Sequence, residues 1–215
     1  LLAQVGAHAA VGTPARDPAP AQRIAVGLCS SCHGARGNSQ LAQIPVLAGQ
    51  SSAYLGAQLK AFRDHSRADD AAPGFMWGIA ASLDDAQIQA VSDYYAAQNP
   101  LRRASSDARL QERGARIFQQ GLERAGVTAC AGCHGREAEG VADVPRLAGQ
   151  QAAYFRAQLR SFQRGERDSP TMRDIARGLD PEAIEALAAY VSAASPLTGS
   201  PALVGPLGPA LGRTP

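Results

Sequence analysis

Two short stretches of the chain carry residues that can do chemistry. Cys29-Ser30-Ser31-Cys32-His33 and Cys130-Ala131-Gly132-Cys133-His134 both read C-x-x-C-H, the attachment signature of c-type haem. Two thiols separated by two residues can each form a thioether to one vinyl group of the same porphyrin. The histidine next in sequence then lies under the ring, within reach of the iron. A lone C-x-x-C serves equally as a redox dithiol or as half of a zinc site. Here both copies carry the histidine, and all four cysteines of the chain are used. The sequence therefore predicts two covalently bound haem c groups, anchored by Cys29, Cys32, Cys130 and Cys133, with His33 and His134 on the irons.

The chain has only two methionines, and they occupy equivalent places after the two motifs. Met76 comes 43 residues after His33 (76 − 33) and Met172 comes 38 after His134 (172 − 134). A methionine taken alone is more often core filler. Two in register, each in a loop just past a proline (Pro73, Pro170), read as the sixth iron ligands, on the His/Met pattern that raises haem potentials. A thioether in that position favours ferrous iron and closes it to small molecules. His65 aligns with Gly165, which makes it a surface or helix-end residue rather than a ligand. His8 lies in the N-terminal stretch. Arg67 and Arg167 recur between the second helix of each copy and the methionine. They either pair with a haem propionate, which a guanidinium can bind bidentately, or face solvent.

The elements that must position these residues come twice. Ile44-Pro45-Val46-Leu47-Ala48-Gly49-Gln50 returns as Val144-Pro145-Arg146-Leu147-Ala148-Gly149-Gln150, and Tyr54, Gln58, Leu59 and Phe62 return as Tyr154, Gln158, Leu159 and Phe162. The offset is 100 (145 − 45) up to this point and 96 (172 − 76) from the methionines onward. The four-residue difference lies between Arg67 and Met76, where the first copy has Ala68 to Phe75. Each copy of about 90 residues is a small domain rather than one unit of a solenoid.

Hydrophobic spacing places the helices. In the first copy a helix from about Ala21 to Leu28, with Ile24 and Leu28 on one face, leads into the cysteines. A second, capped by Ser51 or Ser52, runs to about His65 with Tyr54, Leu55, Gln58, Leu59 and Phe62 in one stripe. A third spans about Asp84 to Gln98, with Ser82 and Asp85 as its capping pair and Ile88, Val91 and Tyr95 inward. The second copy predicts helices over Arg109 to Gln120 and Gln150 to Gln163. A last helix is capped by Asp180, with Pro181 in its first turn and Ile184, Leu187 and Val191 inward. No alternating stretch argues for a sheet, so the fold class is all-α.

Composition agrees and narrows the function. Of 215 residues, 45% are hydrophobic and 19% charged, which suits a globular protein, while aromatic residues are only 5%. Two buried macrocycles would supply apolar surface that side chains otherwise provide. A net charge of +2, before haem propionates are counted, is no nucleic-acid footprint. No run approaches the eighteen or so apolar residues that span a bilayer. Residues 1–9 end in Ala7-His8-Ala9, an A-x-A pattern that reads as a signal-peptide remnant or as a frayed tail. Covalent haem attachment implies assembly outside the cytoplasm, hence a periplasmic location. The division is then 10–100 and 108–196 for the two domains, 101–107 for a linker opened by Pro100, and 197–215 for a Pro- and Gly-rich tail, loosely ordered or a docking segment.

The layout resembles tandem class I cytochromes c, most closely the diheme cytochrome c4 family. The resemblance covers roughly residues 20 to 196. It rests on C-x-x-C-H-G (Cys29 to Gly34, Cys130 to Gly135), P-x-L-A-G-Q, the Tyr-x-x-x-Gln-Leu-x-x-Phe helix, the methionine, and a closing helix ending near Tyr94 or Tyr190. It implies two small helical haem pockets passing electrons between periplasmic or membrane-bound redox partners: oxidases, reductases or dehydrogenases. It also implies that Pro45 and Pro145 accept the N–H of the ligand histidine, fixing the ring and raising its basicity. Three functions compete. The first is an electron carrier that is not itself an enzyme. The second is the electron-accepting diheme subunit of a sulfide or thiosulfate dehydrogenase complex, with the tail and the Trp77 loop as docking surface. The third is a diheme catalyst, which needs an exchangeable iron site. With no spare cysteine and two methionines placed to close the irons, site chemistry ranks the carrier first.

Overall fold

The structure, a computed structural model, describes residues 18–69, 72–101 and 107–195. Among the described residues ten short α-helices order themselves as two similar sets. In the first set α1 (Pro18–Ile24) runs through a π-helical turn (Ala25–Cys29) into α2 (Ser30–His33). Then come α3 (Ser52–Arg63), a second π-helical turn (Ala72–Met76) continued by α4 (Trp77–Ala81), and α5 (Asp85–Ala96). The second set is α6 (Ala108–Gln120), α7 (Ala131–His134), α8 (Ala152–Arg164), α9 (Pro170–Arg177) and α10 (Pro181–Ala193), with a 3₁₀ turn at Glu123–Ala125. Among the described residues there is no β-strand, only isolated bridges such as Arg67 to Arg167. The expected signal remnant (1–9), the interior of the expected linker and the expected tail (197–215) lie outside the described residues. Asp107, placed at the end of the linker, caps α6 by accepting from the N–H groups of Arg109 and Leu110.

Local chemistry explains most helix boundaries and corrects three expectations. Asp180 caps α10, with Pro181 at its first position. The cap of α5 is Asp84 with Gln87, each side chain accepting from the other's backbone N–H, rather than Ser82 with Asp85. Buried Leu83 holds the chain so that Asp84 takes the extended N-cap geometry, while Ser82 Oγ turns back to the Ile79 carbonyl. Removing this cap in Asp84→Ala should cost about 1 kcal/mol, read as a lowered denaturation midpoint; an unchanged midpoint would show that Leu83 alone sets the helix start. In the first helix Ala21 and Ala25 are the buried residues and Leu28 is exposed, because the wider π-helical turn rotates the residues beyond it away from the 3.6-residue face. Met76 and Met172 stand on helical turns rather than in loops. Pro170 occupies the first position of α9 behind the Ser169 cap, so here proline starts a helix.

The apolar residues sort by copy. In the second, Phe118, Val127, Leu159, Ile184, Leu187 and Val191 form one core between α6, α8 and α10, with Met172 packed against it. Gly114 lets α6 and α10 touch, since a Cβ there would overlap the Ala186 carbonyl oxygen. The first copy has two smaller clusters. Ala25, Leu55, Val91 and Tyr95 make one; Phe62, Ala72 and Ala80, with Met76 and Trp77 against them, make the other.

The copies meet across a polar interface with approximate two-fold symmetry. Arg67 and Arg167 face each other in the backbone bridge, and both side chains are buried. Arg67 donates to Gln58 Oε1 (2.8 Å), Gln158 Oε1 (2.9 Å) and Tyr154 Oη (3.1 Å). Arg167 donates to Gln158 Oε1 (2.7 Å), Gln58 Oε1 (2.8 Å) and Tyr54 Oη (3.0 Å). Each guanidinium also lies over a phenylalanine of its own domain, Phe62 or Phe162. Both arginines thus have an interface role, and the expectation of a solvent-facing arginine is corrected by their burial. One carboxylate breaks the symmetry: Asp69 takes Arg67 Nε at 2.8 Å, whereas the equivalent Ser169 caps α9. Arg146, where the first copy has Val46, donates across the interface to the carbonyls of Ala48 (2.8 Å) and Gly49 (3.3 Å), and to Ala148 in its own domain. Burial pushes its guanidinium down to about 10.

Candidate haem sites

Each C-x-x-C-H sequence forms one helical turn, α2 or α7, closed by a glycine. Gly34 (φ 76°) and Gly135 (φ 82°) have the left-handed sense that a side chain resists. They reverse the chain immediately after the histidine. The return loop then brings a proline carbonyl to the ring: His33 Nδ1 lies 3.1 Å from Pro45 O and His134 Nδ1 lies 3.0 Å from Pro145 O. A ring nitrogen facing a carbonyl must be the protonated one. Nδ1 therefore donates, and Nε2 keeps its lone pair. Both histidines are buried. Burial lowers their basicity more than the proline carbonyl raises it, which disfavours the charged imidazolium.

None of the four cysteines is paired in a disulfide. Burial pushes the Cys29 thiol up, with Tyr95 opposing weakly, and raises Cys130 to about 11. A nucleophilic dithiol or a zinc site wants thiolate, which burial disfavours at Cys29 and Cys130. No group of three or more His, Cys, Asp or Glu among the described residues is arranged to hold a metal ion by itself. The donor set thus fits a haem anchored by thioethers: cysteine sulfur, imidazole and, half-buried on the turn after the repeat's second helix, a methionine thioether.

His65, His33's companion in the first copy, has no ligand role. It is exposed, left-handed at φ 63°, and stacks on Trp77 at 4.0 Å. It ends its helix where Gly165 ends α8. Trp77, expected in a docking loop, is half-buried at the start of α4 and donates Nε1–H to the Arg67 carbonyl (2.9 Å). Sequence reasoning passed over Gln50, Gln150 and Arg146 as site residues. The signal was present: both glutamines close the repeated motif, and Arg146 is the odd residue within it.

Two helical sets in tandem, each presenting such a donor group, define a diheme c-type cytochrome. Comparison with known proteins agrees. The cytochrome c family profile matches residues 18–97 and 111–195, and the chain belongs to that family. It is 41% identical to cytochrome c-552 of Acidithiobacillus ferridurans over 194 residues, 89% of this chain and 83% of that protein. The crystal structure of reduced cytochrome c4 from Pseudomonas stutzeri superposes with a TM-score of 0.74 at 33% identity, covering 84% of this chain and all of that one. The thiosulfate dehydrogenase electron acceptor of Thiomonas intermedia is 34% identical over 178 residues, 79% of each chain. Tandem cytochrome c domains of the c4 type carry two covalently bound haem c groups, and such proteins transfer electrons rather than catalyse. No helix among the described residues is long and apolar enough to cross a membrane.

Proposed function

We propose that this chain carries electrons in the periplasm between two redox proteins, through haems held by His33 and Met76 in residues 10–100 and by His134 and Met172 in residues 108–196. The observation that carries this reading is the matched pair of buried histidines, each with Nδ1 tied to a proline carbonyl in the same register. The bound haem supplies a one-electron ferric/ferrous couple. The protein's own residues do the rest. Cys29 and Cys32, and Cys130 and Cys133, anchor the ring covalently. Pro45 and Pro145 orient the imidazoles and raise their donor strength. Met76 and Met172 would hold the irons through their thioethers and favour the reduced state.

The likeness to a thiosulfate dehydrogenase electron acceptor favours a second reading, a dedicated acceptor for a sulfur-compound dehydrogenase. Isolation from the native source at low ionic strength separates the two. A carrier elutes alone and is reduced by several donors. Stoichiometric retention by one dehydrogenase, with reduction only through it, would replace the carrier reading by the acceptor one.

A further inference from the structure

The glutamine that closes each P-x-L-A-G-Q motif accepts from the next N–H of its own domain, Ser51 or Gln151, and also reaches into the other domain. Gln150, buried, reaches into the first domain. Its Oε1 accepts from Val46 N–H at 2.8 Å and its Nε2 donates to the Val46 carbonyl at 3.1 Å. Gln50 does the reciprocal: its Oε1 accepts from Arg146 N–H (2.8 Å) and its Nε2 donates to the Arg146 carbonyl (3.0 Å). The N–H of Val46 belongs to the same peptide group as the Pro45 carbonyl, and the N–H of Arg146 to the same group as the Pro145 carbonyl. One unbroken chain therefore runs from the His33 ring through the Pro45–Val46 peptide to Gln150 of the other domain. Its mirror image runs from His134 through Pro145–Arg146 to Gln50.

We propose that Gln150 and Gln50 are positioning residues that act across the domain interface, each holding and polarising the peptide that accepts the N–H of the other domain's axial histidine. An amide whose N–H is already donated has a more negative carbonyl oxygen, because successive hydrogen bonds polarise one another. That oxygen draws harder on the histidine Nδ1–H. The imidazole becomes a stronger donor and favours ferric iron, so each glutamine holds down the potential of the haem it does not share a domain with. The proposal rests on the ligand assignment proposed above.

The test uses the full-length diheme protein. Met172→His first assigns the two redox waves, because replacing a thioether by imidazole lowers the C-terminal haem's wave and leaves the other. If neither wave falls, the ligand reading fails, and this proposal with it. With the waves assigned, Gln150→Leu should raise the N-terminal haem's midpoint potential and leave the C-terminal one in place; Gln50→Leu should do the converse. In the ferrous protein, whose low-spin iron is diamagnetic, the Nδ1–H proton resonance of His33 should move upfield in Gln150→Leu while that of His134 stays. Gln150→Asn, which keeps an amide too short to reach Val46, should give the same pattern if the leucine variant does not fold. A shift in the glutamine's own domain, equal shifts in both, or an unmoved His33 proton would overturn the proposal and leave the glutamines as interface packing.

Discussion

Met76→Ala or Met172→Ala should each remove about half of the weak red absorption band of ferric methionine-ligated haem, since one of two thioether–iron bonds is lost. One of the two midpoint potentials should fall with it. A drop of about 0.1 V would be a modest fraction of the roughly 0.8 V over which axial ligands set haem potentials. The opened iron should bind carbon monoxide or cyanide quickly where the parent binds slowly. Haem should stay attached through denaturation, because the thioethers do not depend on the methionine. The two variants need not match. Met172 stands in the first turn of α9, capped by Ser169, and packs on the larger core. Met76 ends a π-helical turn whose Pro73, Gly74 and Phe75 are exposed, so its ligand should exchange more readily. A wild-type protein without the band would remove the carrier reading, because an open iron is what a catalyst needs.

Asp69→Asn should destabilise the protein by about 3–5 kcal/mol, the range for leaving one member of a buried ion pair without its partner. Arg67 would keep its glutamine and tyrosine acceptors but lose its buried carboxylate. The same residue should impose a pH dependence. Burial raises the Asp69 carboxyl, but the hydrogen bonds and charge of Arg67, with Gln158 Nε2, outweigh it and hold the group below the usual carboxylate range. A depressed folded-state value means the stabilisation is complete above the unfolded-state value of about 3.9 and is lost as pH falls through the folded one. Denaturation midpoints should therefore decline below about pH 4 in the parent, and Asp69→Asn should show a shallower decline. Identical slopes would show that other carboxylates dominate acid unfolding.

What the sequence made legible was whatever depends on near neighbours. The C-x-x-C-H turns, the Asp180–Pro181 helix start and the inward faces of α5 and α10 are local patterns, and they stand as read. The repeat added long-range information, because two copies that match over P-x-L-A-G-Q and Tyr-x-x-x-Gln must do the same thing twice. Pattern failed where a residue's partner lies in the other copy. Arg67 and Arg167 do bond Gln58 and Gln158 of their own copies, but the partners that make them an interface sit about a hundred positions away. The methionine turns escape local pattern for a different reason: a proline can follow one helix or open the next, and at Met172 the Ser169 cap decides for the latter, while Pro73 lies inside the π-helical turn that Met76 ends.

The reciprocal glutamines bear on how such a molecule can be put together. A patch whose donors and acceptors find their complements in a rotated copy of itself is isologous, the kind of surface by which two identical subunits form a closed pair. Here both halves of that pair lie on one chain. Covalent joining turns an encounter between two molecules into an internal one at millimolar effective concentration. An interface built mainly of amides, tyrosines and guanidinium groups, too polar to hold free subunits together at low abundance, is then enough.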